Sequence, residues 1–416
     1  MLSAWAWLTR FAVVKNLDTM MVNLQYFERG ELMKKVLVLG GVGAMATETT
    51  IDLVRTSDFD EITIADINLA KVESFIEKSG DHRLRAAKIN AESVNDMAEL
   101  ISGYDVVANG LPRVYCENAI RAGIQAKVDM LDLISPHEET LALDNEAQAA
   151  GISVVGGVGI TPGITNLLAQ LGADRLEQVK RIDIDFAAFR SIAHSPGLLH
   201  VILWEFDPRT ENRFYFDNGE LIPNPPFSGA RTVPFPEPIG PQTTYYVPHG
   251  ESQTLSKNIP GVKQVFIRGC FPPRAMGLVK MLYDYGLYDS PPIDYDGSKI
   301  QPLEYISHYL LNSAAGDQTE IWGYSVQVEV RGVLKGRDVM YRFVTDHPPM
   351  DIWGGPRAYS KNVGIPLSIG AQMLARGQVK KKGVDGAETM LPAEEFVNEL
   401  RKRDFVINES LSYLSD

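Results

Sequence analysis

From Lys34 the chain runs Lys34-Lys35-Val36-Leu37-Val38-Leu39-Gly40-Gly41-Val42-Gly43-Ala44-Met45-Ala46. An apolar run ended by glycines reads as a strand buried on both faces that turns sharply into a helix. Glycines in that turn let backbone approach a pyrophosphate, and a small residue at Ala46 lets the helix pack on the strand. The helix N-terminus adds N–H donors and partial positive charge. Gly40, Gly41, Gly43, Ala44 and Met45 are therefore candidate pyrophosphate contacts. Asp66 ends the next strand at the distance where a carboxylate accepts hydrogen bonds from an adenosine ribose. A carboxylate there repels a 2′-phosphate, so NAD is the expected cofactor and NADP the alternative. The competing reading of Asp66 is a cap on the helix that begins near Asn68.

A second glycine-rich turn, Gly156-Gly157-Val158-Gly159-Ile160-Thr161-Pro162-Gly163, also follows a strand and precedes a helical run. It either lines the nicotinamide half of the cofactor or is the hinge that opens a second domain. The densest polar cluster beyond it is Pro248-His249-Gly250-Glu251-Ser252-Gln253-Thr254-Leu255. His249 and Glu251 could do acid–base work there, or sit in an ordinary polar loop. His200 and Glu205 flank Trp204 and read as core or surface, while His194 and His347 receive no role. Cys116 and Cys270 are nucleophile candidates whose plainer reading is a small buried apolar residue. No metal signature and no GxSxG elbow occur.

These residues need elements to hold them. Strands at Val36–Leu39, Glu61–Ala65, Leu84–Ile89, Asp105–Ala108, Ala126–Asp129 and Ser153–Val155 alternate with helices, of which Glu138–Ala150 is one. That alternation predicts a doubly wound parallel sheet. Beyond Gly156 the period changes. Arg181–Ala187, Gln264–Arg268 and Tyr324–Val330 alternate charge and hydrophobe, which predicts strands with one wet face in a mixed or antiparallel sheet. Pro223–Pro241 reads as a loop, and Ile365–Leu374 and Pro392–Arg401 as helices. The fold class is α/β: a Rossmann domain over 33–157 and an α+β substrate domain over 158–360. Helices over 361–416 return to the first domain, and residues 1–32 form an N-terminal extension.

Composition narrows the partners. A net charge of −13 over 416 residues argues against nucleic acid, which needs clustered Lys and Arg. No stretch reaches the ~20 apolar residues of a membrane span. Two cysteines suit a reducing cytoplasm better than an oxidising compartment.

The chain resembles the saccharopine dehydrogenase-like amino-acid oxidoreductases. The resemblance rests on Lys35–Gly43 with Ala44-Met45, Tyr104–Asn109, Glu146–Ile152, Gly159–Asn166, Thr254-Leu255-Ser256, Arg268 and Ala371–Gly377, in order along the chain. It implies hydride transfer between NAD(P) and a carbon bearing nitrogen. The substrate would be an amino acid such as lysine, or an opine-like secondary amine, and the enzyme a homodimer or larger. It adds Asn109 and Gly110 to the cofactor contacts and Thr254 and Arg268 to the substrate side. The segment Ser191–Phe235 departs from the resemblance and is expected to line the substrate pocket. Two other readings stay open: an NADPH-dependent imine reductase that builds a secondary amine, and a dinucleotide-binding sensor without turnover.

Overall fold

The computed structural model describes residues 33–414 except 135, 319–320, 347–349, 354, 356 and 380. The N-terminal extension and His347 lie outside the described residues. The first unit opens with β1 (Lys35–Leu39), β2 (Glu61–Asp66), β3 (Leu84–Lys88), β4 (Val106–Asn109), β5 (Asp129–Asp132) and β6 (Ser153–Gly156). The second uses β7 (Gln178–Phe189), β8 (Phe214–Asp217), β9 (Glu220–Pro223), β10 (Arg231–Pro234), β11 (Pro241–Tyr246) and β12 (Gln264–Cys270). It continues through β13 (Ile293–Tyr295), β14 (Ser298–Ile300), β15 (Gly323–Leu334) and β16 (Arg337–Asp346). The chain closes with β17 (Gly383–Gly386) and β18 (Val406–Tyr413).

The first sheet runs β17-β6-β5-β4-β1-β2-β3, with every pairing parallel. Val36 to Leu39 are fully buried, as expected of a central parallel strand covered by helices on both faces. Strand order reverses between β1 and β4, so the crevice beyond their carboxyl ends is the switch point where such sheets bind ligands.

The second sheet has the order β10-β11-β12-β7-β15-β16-β18, with β8 also on β12. Only β12 and β7 pair in parallel in that order, so the sheet is mixed. Ile182, Ile184 and Phe186 of β7 face the apolar core shared with helices Ile164–Ala173 and Glu251–Asn258. The alternate residues Asp183 and Asp185 turn to the opposite face. That face is not wet in the way the alternation suggests. Asp183, Asp185 and Glu329 are buried there and neutralised by arginines. Arg268 Nη1 is 3.1 Å from Asp183, Arg231 bridges Asp185 and Glu329 at 2.9 and 3.0 Å, and Arg342 reaches Glu329 at 2.9 Å.

Several boundaries differ from the sequence reading. The helix expected over Glu138–Ala150 is two, Glu138–Leu141 and Asp144–Ala150. The expected loop Pro223–Pro241 contains β10, whose Arg231 is drawn in by the buried carboxylates. Ser191–Phe235 holds helix Pro196–Phe206 rather than loop alone. The segment 361–416, read as returning helices, also gives β17 to the first sheet and β18 to the second. Helix Arg357–Ala375 packs on helix Ala46–Thr56, where Arg357 grips Glu48 at 2.6 Å and Ser368 donates to Asp52 at 2.7 Å. No described helix is long and apolar enough to cross a membrane.

Candidate active site

At the carboxyl edge of β1 the chain makes the sharp turn its glycines allow. Gly40 has φ 69°, and a Cβ on it would meet the carbonyl oxygen of Gly110 at 3.1 Å. No side chain caps the N-terminus of helix Ala46–Thr56. Gly43, Ala44 and Met45 are exposed or half-buried at its mouth. Bare backbone and an uncapped helix start thus face the switch point, which is the cradle a pyrophosphate requires. Asp66 stands beside it at the end of β2. Its Oδ1 accepts from the N–H of Asn68, and Asn68, not Asp66, caps the following helix by accepting from Lys71 N at 3.1 Å. Lys71 reaches across to donate to the carbonyl of Val42 in the glycine turn. Asn109 is buried with its amide spent internally. Its Oδ1 accepts from Leu111 N and its Nδ2 donates to Asp132 at 2.6 Å. Burial raises the Asp132 carboxyl to about 6 against the opposing pull of these donors.

The second glycine turn leads through Gly163, whose N–H donates to Asn166, into helix Ile164–Ala173. Helix Glu251–Asn258 starts close by, and Thr165 Oγ1 donates to Glu251 at 3.1 Å. His249, in the loop just before that helix, lies between two buried carboxylates. Its Nε2 is 3.3 Å from Glu205, and its Nδ1 is 3.8 Å from Glu251. Phe186 stacks on the imidazole with ring centres 5.1 Å apart. Burial pulls the imidazolium down, but Glu205 and then Glu251 outweigh it, so its pKa rises to about 10. Two buried carboxylates thus flank one buried imidazole, so acidic groups outnumber basic ones in the cluster. Tyr324, hydrogen-bonded to Thr161 of the glycine turn, packs against Phe186 on one side and Tyr359 on the other.

Residues 36–155 match the saccharopine dehydrogenase NADP binding domain, and residues 159–406 the saccharopine dehydrogenase C-terminal domain. The chain belongs to the saccharopine dehydrogenase family. It is an NAD(P)-dependent oxidoreductase working at a carbon–nitrogen bond. It is 25% identical over 380 residues to the carboxyaminopropylagmatine dehydrogenase of Synechocystis, covering 86% of this chain and 94% of that one. It is 26% identical over 147 residues to the Saccharomyces cerevisiae saccharopine dehydrogenase (NADP+, L-glutamate-forming), covering 35% of this chain and 31% of the yeast enzyme. The apo structure of the S. cerevisiae L-Glu-forming saccharopine dehydrogenase superposes with TM-score 0.70 at 17% identity, over 91% of this chain and 100% of that chain. That likeness is one of fold.

Within this family member the sequence-nominated residues separate into four places. Gly40, Gly41, Gly43, Ala44, Met45, Asp66, Asn109 and Gly110 gather at the edge of the first sheet, and their cradle fits a dinucleotide. His249 and Glu251 meet in the acid–imidazole cluster. Thr254, one turn further along the helix, is turned away. It is buried, and its hydroxyl accepts from Asn166, which also donates to Glu388 at 2.9 Å. Arg268 lies on the opposite face of the second sheet from Phe186 and His249. Its Nε donates to Gly229 O, and Nη1 and Nη2 are held by Asp183 and Tyr246. Cys116 and Cys270 are free and buried, and burial pushes both thiols up, away from nucleophilic use. His200 is exposed. Among the described residues no group of three or more His, Cys, Asp and Glu is placed to hold a metal ion.

Thr165 carries no role of its own in the sequence reading, and Glu205 reads there only as core or surface beside Trp204, whereas the fold buries it against His249. Glu205 sits near the end of an apolar helix and meets His249 across 44 positions. The only available signal was a carboxylate beside otherwise apolar neighbours.

Proposed function

We propose that the enzyme transfers hydride at the C–N bond of a carboxyalkylated secondary amine, of the kind that carboxyaminopropylagmatine represents. The observation that carries this reading is the Glu205–His249–Glu251 cluster and its excess of acidic over basic groups. A secondary ammonium and the iminium that replaces it on oxidation both carry one positive charge. Hydride leaves only from the neutral amine, so the ammonium proton first passes to a carboxylate of the cluster and on to solvent, and the acidic cluster complements the nitrogen before and after the transfer. The nicotinamide, when bound, gives or takes the hydride. Glu205 and Glu251 hold the nitrogen, His249 keeps a proton at the site, and the stacked aromatic side chains exclude water.

The protonated state of His249 favours the reductive direction as a second reading. Reduction of an imine consumes a proton, and an imidazolium with a pKa of about 10 stands ready to supply one at neutral pH. An assembly of two or more copies in a reducing compartment, acting on a lysine-like or polyamine-derived amine, completes the proposal. The two unpaired buried cysteines suit that compartment. The test is absorbance at about 340 nm, the reporter of the reduced cofactor. Carboxyaminopropylagmatine, saccharopine and lysine are supplied with NAD or NADP, and the matching amine and aldehyde with NADH or NADPH. A change with a secondary amine or its imine is expected. A flat trace with every pair, despite measurable cofactor binding, overturns the reading.

A further inference from the structure

Beyond the end of β7 the chain buries a second charge, of opposite sign. Arg190 is 1% exposed. Its Nη1 and Nη2 donate to the carbonyls of Ser191 and Leu198 at 3.1 and 2.8 Å, while Nε has no partner among the described residues. No carboxylate among the described residues pairs with it. Its guanidinium is clamped over Phe271 at 5.0 Å and over Tyr359 at 5.4 Å. A buried cation without a counter-ion is unfavourable, and proteins normally pair such groups. Arg190 also lines a cavity of about 260 Å³ with Ile192, Pro272, Ala275 and Leu278, and with Arg274 at its exposed rim. The walls are mostly apolar, Arg274 donates to Gln318 at the rim, and Arg190 is the buried cation. Tyr359, under Arg190, leads ring by ring through Tyr324 and Phe186 to His249.

We propose that this cavity receives the carboxylate-bearing arm of the substrate, with Arg190 as its counter-ion and Arg274 guiding the anion in. The proposal rests on the amine reading of the Glu205–His249–Glu251 pocket and adds the other end of the molecule. A planar guanidinium held by two carbonyls and two rings presents its remaining N–H groups in a fixed direction, which suits a carboxylate better than a mobile ammonium would. The cationic arm of a substrate is excluded from this side by the same charge, so the two pockets set the orientation of an otherwise flexible amine.

The experiment compares the best amine substrate of the panel with its carboxamide, in the unmodified enzyme and in Arg190→Met, Arg190→Lys and Leu278→Trp. Calorimetric binding of 4-aminobutyrate to the same four proteins serves as a readout independent of turnover. The unmodified enzyme is expected to prefer the carboxylate over the carboxamide in kcat/KM by on the order of 10- to 100-fold, the range for a hydrogen-bonded charge pair. Arg190→Met should bring that ratio close to one by raising KM, and Arg190→Lys should restore part of it. Leu278→Trp keeps the arginine but fills the cavity, and should lower affinity for the carboxylate while leaving cofactor binding intact. Equal use of carboxylate and carboxamide by the unmodified enzyme overturns the proposal. So does turnover whose carboxylate preference survives in Arg190→Met. Arg190-dependent binding of 4-aminobutyrate without hydride transfer to any amine would sustain the subsite and sink the amine-oxidoreductase reading instead.

Discussion

At the scale of single residues the site works by holding charges that would not coexist by accident. Glu205 and Glu251 are buried, and each would be costly alone. His249 between them is what makes the pair tolerable: burial lowers its pKa, and the two carboxylates outweigh burial and carry it up to about 10. The sign of the pH dependence follows. The folded pKa lies above the ordinary histidine value of about 6.5, so the stabilisation is complete below that value and disappears as pH rises through the folded pKa. We expect the difference in Tm between the unmodified protein and His249→Gln to be largest at about pH 6.5 and to shrink as pH rises toward about 10. A difference that stays constant over that range would mean that the imidazole is neutral in the folded protein. Glu205→Gln removes one acidic group while keeping the shape. It should cut kcat/KM for a cationic amine by on the order of 100-fold, within the range for losing a positioned acid–base or charged partner. NADH affinity, read by fluorescence titration, should not move. A parallel loss of both would assign Glu205 a merely structural role.

At the scale of elements, the first sheet was largely legible because its signals are local. Gly40 to Ala46 form a continuous stretch, and Asp66 closes the very next strand, so both fall at one edge whatever the rest of the chain does. Asp66→Ala should therefore weaken NADH binding by about tenfold, roughly the worth of a hydrogen bond to a charged group, and relax the preference against NADPH. Equal affinity of the unmodified enzyme for both cofactors would remove the basis of that reading. The second sheet was legible in its alternation but not in its register. Nothing near Arg268 announces that Asp183, on the parallel neighbour β7, will take its Nη1. The sequence thus yields a free arginine fork where the fold makes an internal ion pair. Nor could alternation reveal that helix Pro196–Phe206 brings Glu205 to His249, since that contact is set by how the helix packs on the sheet. Thr254 illustrates the same limit on a helix. Its position beside Glu251 in sequence puts it one turn away, where Asn166 and Glu388 claim it.

At the scale of the whole molecule, the segment from Arg357 onward decides whether two units behave as one. After helix Arg357–Ala375 leans on helix Ala46–Thr56, β17 completes the parallel sheet and β18 completes the mixed one. Between them Arg403 returns to Asp52 with Nε 2.9 and 3.0 Å from its two oxygens, and both side chains are nearly buried. The glycine-turn helix is therefore fixed by a residue whose chain continues directly into the second sheet. Such stitching should make the unfolding of the two units a single event. Arg403→Ala tests this, because it leaves Asp52 buried without its cation, a loss of about 3 kcal/mol for a broken buried pair. Asp52 belongs to the first unit, whereas Trp322, edge-on to His194, belongs to the second. If the units are coupled, urea midpoints followed by release of bound NADH and by tryptophan fluorescence should fall together by the same amount. If only the NADH-release midpoint moves, the C-terminal strands do not couple the units. The crevice at the carboxyl ends of β1 and β4 would then open without disturbing the cluster around His249.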